Sequence, residues 1–459
     1  MSGTRDQGNI LGAMPVDRLV LTMSAPIMVS MLVSAVYNLV DSIYVAQVSD
    51  LDFLALSYAY PVQLMMVAFC TGIGVGFNAT FAQRLGEGKG EEANRVACHG
   101  FLFYTLCWLL FLAFALFGAP LFFRLSTDDP VVAQAGVQYL TICCGASIGM
   151  CMQFLTERLL QTTGHPAGFM IVQGSGAVLN IVLDPVFIFG FDMGVAGAAV
   201  ATVLSQLGSC LYVLRFLFSK SVPIPISFGG YEIRVMLRIL AVGLTPFLIV
   251  GVDNVMIIAM NAILQSYGGA ELGDRLVTCA TIAQSFMLVV TMPLGGISAG
   301  TGTILAYNYG ARRRDRILKA QAFIAGLCVA YVTALFLLAR LGGALFVRLF
   351  TTEPELAAEA LDAIHVCTLA IIPLGIQYAI VDGFTGMGKV QVSLPLSAFR
   401  KAVYFIALFA LPAAFGARAT FYAEPISDIL GPIVSIAVYA LVIRRLLNFP
   451  PAGEEPLPT

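Results

Sequence analysis

From residue 17 to residue 446 the chain alternates long apolar stretches with short polar joints. Within a stretch the apolarity is continuous and lacks the period-two alternation of a half-buried strand. A helix needs about 20 apolar residues to cross about 30 Å of hydrocarbon. Twelve stretches reach that length: 17–47, 52–83, 97–120, 131–160, 167–191, 194–219, 233–265, 276–308, 317–347, 355–387, 390–416 and 422–446. Several exceed it, as tilted helices do. The pattern predicts an all-α integral membrane protein with twelve transmembrane helices. A closed β-barrel, the other way to satisfy backbone groups in lipid, would show alternation.

Composition agrees with that reading. Of 459 residues, 59% are hydrophobic and 11% charged, with a mean hydropathy of +0.88, whereas a soluble domain carries about 25% charged residues. Lipid is the expected solvent, and a net charge of −2 gives no reason to expect nucleic acid. The ten cysteines are scattered singly or as Cys143–Cys144 inside apolar runs, without a CxxC pair. They read as small buried hydrophobes, and no metal or organic cofactor is expected. The polar opening MSGTRDQGNI runs into an apolar stretch too long for a cleavable signal. The tail PPAGEEPLPT reads as disordered.

Basic residues set the sides. Twenty Lys and Arg fall with both termini, the even-to-odd loops and the adjoining span ends, among them Arg158, Arg400 and Lys401. Five fall on the other side: Arg124, Arg275, Arg340, Arg348 and Arg418. Both termini are therefore expected in the cytoplasm, in a bacterial-type inner membrane.

The chain also repeats itself. LFFRLSTDDP at 121–130 returns as LFVRLFTTEP at 345–354, with six identical positions at an offset of 224. At the same offset Gly72, Ile73, Gly76, Ala82 and Gly86 meet Gly296, Ile297, Gly300, Ala306 and Gly310, and Pro26 pairs with Pro246 at an offset of 220. One constant offset over more than ninety residues indicates an internal duplication. Six spans per half leave both copies the same way up, as two six-helix lobes related by a pseudo-twofold axis along the membrane normal. The expected division is 1–219 for the N-terminal lobe, 220–238 for a linker and the start of span seven, 239–447 for the C-terminal lobe and 448–459 for the tail. A cleft between two such lobes suggests a transporter.

A charge at membrane depth is costly and points to function. Asp41, Asp184 and Asp253 lie at that depth, with Glu157 and Asp382 nearer the cytoplasmic ends of spans four and ten. Asn38 precedes Asp41 by three residues and Asn180 precedes Asp184 by four, so each pair shares a helix face. Pro185 frees the carbonyl of Ile181. Two carboxylates at one depth, each with an amide neighbour, could hold a proton or Na⁺, and the residues alone leave that choice open. Continuing the offsets, Asp41 falls on Asn261, Asn180 on Tyr404 and Asp184 on Leu408. The carboxylate pair belongs to the first half alone, which places coupling in the N-terminal lobe. Asn38, Asp253, Asn261 and Asp382 remain as further polar positions. Met and aromatic residues such as Tyr37, Met66, Met256, Met260 and Phe286 would suit an adaptable pocket for cations.

NLVDSIYVAQ in span one, LNIVLDPVFIFG in span five, GVAGAAVATVLSQ opening span six and AYNYGARRRD after span eight occur together and in this order. In this combination the chain resembles the multidrug and toxic compound extrusion (MATE) family over essentially its whole length, on its bacterial DinF-like, multidrug-exporting side. The resemblance implies a V-shaped pair of lobes and export of cationic or amphipathic drug-like molecules in exchange for H⁺ or Na⁺. It implies a cation site at Asp41, Asn180, Asp184 and Thr202. Other branches place acids in spans seven and ten; Asp253 is similar to the first and Asp382 fits the second loosely. The expected partners are small-molecule cations and the lipid bilayer, and the expected state is a monomer.

Two alternatives compete. A lipid-linked saccharide flippase of the same superfamily should line its cavity with Arg or Lys, whereas the bases here read as span-end residues. A membrane-embedded enzyme needs a convergent His, Ser or Cys constellation, and His99, His165 and His365 lie near different span ends. A major facilitator carrier is disfavoured because the loop QRLGEGKGEEANR lacks the expected Asp-basic-Gly pattern.

Overall fold

The computed structural model describes the backbone of residues 10–46, 50–127, 129–217 and 231–449, and their side chains except those of 38–46, 50–54, 57, 195, 211–217, 270 and 271. Most of the predicted linker and tail thus lies outside the described residues. Spans one and two are Val16–Ala46 and Asp50–Gly86. Span three, Gly90–Ser126, passes through a widened π turn at Phe114–Gly118. Span four bends by 42° between Pro130–Gly145 and Ile148–Thr162. Span five, Pro166–Gly190, closes with a π turn after Pro185, and span six is Gly194–Leu217. Spans seven and eight, Ile233–Gly269 and Leu272–Gly310, are separated at Gly269, whose φ of 69° suits a residue without Cβ. Span nine is Arg314–Val347, and span ten bends by 47° between Pro354–Cys367 and Ile371–Gly386. Spans eleven and twelve are Val390–Phe415 and Ala417–Leu446, the latter entered through a 3₁₀ segment at Ala417–Tyr422. All twelve predicted stretches are helices, and no strand occurs among the described residues.

The duplication is visible in local detail. The two bent spans, four and ten, are repeat equivalents. At the corner before each, a threonine hydroxyl accepts the backbone N–H of the acid two residues on, Thr127 from Asp129 and Thr351 from Glu353, both at 3.2 Å. Asp129 then caps the helix by accepting from the N–H of Val131 at 2.8 Å. Pro130 and Pro354 open the first turn, where no N–H is needed.

Glycines make the seam between the lobes. A methyl group on Gly86 would strike the carbonyl of Tyr307, and one on Gly310 would strike the carbonyl of Gln83. Gln83 and Gly86 lie 224 residues before Tyr307 and Gly310, so the contact is reciprocal about the pseudo-twofold axis. Deeper in, Gly72 abuts Gly243 and Phe247 while its equivalent Gly296 abuts Ile27 and Met31. Near the axis Asn78 Nδ2 donates to Thr303 Oγ1 at 2.8 Å, and Thr303 donates back to Asn78 Oδ1 at 3.1 Å. Each lobe has its own apolar core, one around Phe77, Tyr104 and Phe123, the other around Phe286, Phe384 and Leu408.

Polar contacts sort the joints into two ends. At one end Arg84 pairs with Glu87 and Glu92, Arg95 with Glu232, and Arg313 donates to the carbonyl of Gly12 at 2.7 Å. At the other, Arg275 reaches Glu355 and Glu359, and Arg418 reaches Glu359 at 2.6 Å. These groupings match the two sides drawn from charge. Three bases depart from them. Arg158, Arg400 and Lys401 are 8%, 8% and 6% exposed and sit inside the lobes. Arg400 stands ten residues into span eleven, about 15 Å along its axis. The side count becomes seventeen against five, with the same sense.

Candidate functional site

In the N-terminal lobe the site is built on span five. Asn180 and Asp184, one turn apart, are 2% and 0% exposed. Asn180 Nδ2 donates to Asp184 Oδ1 at 3.2 Å and reaches Thr202 Oγ1 of span six at 3.4 Å. Asn180 Oδ1 is buried without a hydrogen-bond partner among the described atoms. Pro185 follows directly, and the π turn Val186–Gly190 widens the helix there. Span six comes close because Gly197 faces the carbonyl of Phe187, where a Cβ would lie at 2.7 Å. Three of the four residues implied by the resemblance are thus adjacent.

The fourth, Asp41, and its neighbour Asn38 have side chains outside the described residues, although the helix of span one continues through both. Backbone register locates them. Gln173 of span five accepts from Ser30 at 3.4 Å and donates to Ser34 at 2.8 Å. Spans one and five run in the same direction, so seven residues beyond this contact, about 10 Å of rise, position 41 is level with Asn180.

The C-terminal lobe is built otherwise. Asp253 of span seven pairs with Lys401 of span eleven; the lysine side chain is 8% exposed and the aspartate 47%. Arg400 Nη1 donates to Asp428 Oδ1 of span twelve at 2.8 Å, and Asp428 is fully buried. Glu424 lies one turn before Asp428 on the same face. Asp382 accepts from Ser298 Oγ at 2.5 Å, joining spans ten and eight. Asn261 Oδ1 has no hydrogen-bond partner among the described atoms. Glu157, in the other lobe, accepts from Gln153 at 2.9 Å.

Two expectations need correction. The bases are not confined to span ends, since Arg400 and Lys401 reach the interior of the second lobe. Nor are the deep acids of that lobe limited to Asp253 and Asp382, because Asp428 and Glu424 join them. The spacing of Glu424 and Asp428 by four residues, in an apolar span that follows the pair Arg400–Lys401, was the available signal. Of the proposed pocket residues, Met66, Met256, Met260 and Phe286 are core residues of the lobes, 5%, 6%, 6% and 2% exposed.

Comparison with known proteins agrees with this architecture. The MatE family model matches residues 26–186 and 250–411. The interval between the two starts is 224, the offset read from the repeat. The chain is similar to the multidrug export protein MepA of Staphylococcus aureus (strain MSSA476), at 22% identity over 94% of this chain and 95% of that protein. It is similar to an FAD transporter of Shewanella oneidensis, at 24% identity over 96% and 97%. The outward-facing structure of a multidrug resistance MATE family transporter of the MOP superfamily superposes with a TM-score of 0.90 at 22% identity, covering 96% of this chain and 99% of that one. Two matched repeats that together span more than two thirds of the chain, on a fold of two six-helix lobes, establish that it belongs to the MATE transporter family.

Proposed function

We propose that this protein is a secondary exporter of cationic or amphipathic small molecules, driven by exchange for H⁺ or Na⁺ and working as a single chain in a bacterial-type plasma membrane with both termini in the cytoplasm. The observation that carries the reading is the buried pair Asn180 and Asp184, with Thr202 beside it, at the level of position 41. A carboxylate, an amide oxygen without a partner and a hydroxyl offer hard oxygen ligands to Na⁺ or acceptor sites to a proton. A charge there is costly without a counter-charge, so ion binding and the arrangement of spans one, five and six are linked. Neutralising Asp184 lets these helices close on one another; releasing the ion opens them. The glycine seam lets the lobes tilt, so the cleft faces one side and then the other.

A flippase for lipid-linked saccharides or a carrier of anionic cargo would use deep bases. Of the three buried bases among the described residues, Arg400 and Lys401 each face an acid, Asp428 and Asp253, and Arg158 is bound to Gln161. This internal pairing favours cationic cargo.

The test is dye efflux from proteoliposomes under an imposed pH gradient without Na⁺, then under a Na⁺ gradient at uniform pH. Efflux under one gradient and not the other names the ion. Dye movement insensitive to both gradients defeats the proposal.

A further inference from the structure

Three cysteines from three spans converge in the N-terminal lobe, away from the Asp184 cluster. Cys70 of span two, Cys107 of span three and Cys151 of span four are 0%, 5% and 0% exposed. Their sulfurs all lie within 4.8 Å of one another, with Cys70 and Cys151 at 3.9 Å. An atom at the centre of a triangle with such sides sits about 2.3 to about 2.8 Å from each corner, which brackets the Zn–S distance of about 2.3 Å. Small buried hydrophobes have no need to meet this way. The repeat did not supply the arrangement either, because the positions 224 residues on are Leu294, Tyr331 and Gly375.

The surroundings fit a charged occupant. Tyr104, one turn before Cys107, donates to the carbonyl of Cys70 at 2.8 Å. Arg158 lies alongside: a methyl group on Gly74 would come within 2.7 Å of the Tyr104 hydroxyl and 3.1 Å of Arg158 Nε. That Nε is buried without a hydrogen-bond partner, while the other arm of the guanidinium binds Gln161 at 3.1 Å. Glu157 beside it is turned to Gln153. One turn from Cys70, Met66 Sδ meets Cys144 Sγ at 3.4 Å, a second pair of soft ligands on the same two spans.

We propose that Cys70, Cys107 and Cys151 form a three-thiolate site for a divalent thiophilic cation, Zn²⁺ or Cd²⁺. Binding releases three thiol protons and leaves a complex of charge −1, against which the Arg158 guanidinium is the nearby counter-charge. Thiolates select such ions over Na⁺, Mg²⁺ or Ca²⁺. Occupancy ties spans two, three and four together and stiffens the lobe that holds Asp184.

The probe is Cd²⁺ titrated into the full-length protein in detergent with a non-thiol reductant. A thiolate-to-cadmium charge-transfer absorption saturating at one ion per chain is expected, displaced by excess Zn²⁺. Cys107→Ser should weaken binding by about a hundredfold or more, since even outer-sphere changes cost up to that much; Cys98→Ser should leave it unchanged. Bound ion should raise the unfolding temperature of the parent and not of Cys107→Ser. Absence of a saturating band, or an affinity in Cys107→Ser and Cys151→Ser equal to that of the parent, overturns the site. Should these variants not fold, the parent decides: release of three thiol protons per Cd²⁺ bound supports the site, and release of none refutes it.

Discussion

Asp184 of the first lobe and the acids Asp253 and Asp428 of the second are held in opposite ways. In the first, Asp184 is given an amide and a hydroxyl as neighbours, and the register brings a second acidic position, 41, to the same level. In the second, Asp253 and Asp428 are given Lys401 and Arg400, cations tethered to span eleven. Neutral neighbours leave room for a cation that comes and goes; tethered cations do not. Asp184 is thus suited to an exchangeable ion, while Asp253 and Asp428 have their cations within the chain; Asp382, with Ser298 as its neighbour, stands outside that contrast.

The largest effect should follow from Asp184→Asn. Gradient-driven efflux should fall to the empty-vesicle level while the protein stays folded in the membrane, as judged by an unchanged unfolding temperature. The double variant Arg400→Met with Asp428→Leu, which removes the buried pair of the second lobe whole, should retain efflux. If both variants lose efflux alike, the division between the lobes is wrong. Next comes Arg400→Met, which leaves a fully buried carboxylate without its partner and should cost about 3–5 kcal/mol in unfolding measurements. The double variant Arg400→Met with Asp428→Leu should recover most of that loss. No recovery would mean the pair does more than neutralise itself. Gly86→Val and Gly310→Val should each destabilise by about 1–3 kcal/mol and by similar amounts, because the seam is reciprocal; a large inequality would break that symmetry. The smallest effect is expected at Thr202→Val, a loss of about tenfold in coupling-ion affinity, read as a shift in the ion dependence of efflux with no change in its maximum.

Much of this was legible before any coordinates. Continuous apolarity gave the spans, because lipid leaves the chain no other way to satisfy its backbone. The constant offset gave the repeat, and the contacts of Gly86 and Gly310 reproduce it in space. Asn180 and Asp184 were legible from the residues because they share a helix face, whereas Thr202 came only with the family resemblance. The second lobe was harder to read. Arg400 and Lys401 stand near the end of an apolar run, where a base signals sidedness as readily as it fills an interior. What moves them inward is tertiary. Gly431 of span twelve lies against Arg400, where a Cβ would sit 3.0 Å from its Cγ. In antiparallel helices this level sets Glu424 opposite residue 407, well below the end of span eleven at Phe415. The 3₁₀ segment Ala417–Tyr422 brings the chain back into the bundle, and hydropathy carries no trace of that descent.

The seam at Gly86 and Gly310 also has the form of an isologous interface. One residue touches a second, and the equivalent of the second touches the equivalent of the first, as between identical subunits of a twofold dimer. A surface of this kind is complementary to itself and needs no covalent connection between its halves. The six-helix half is thus the recognition unit of the fold, and the connection after span six serves to fix the pairing at one to one and let the two copies diverge.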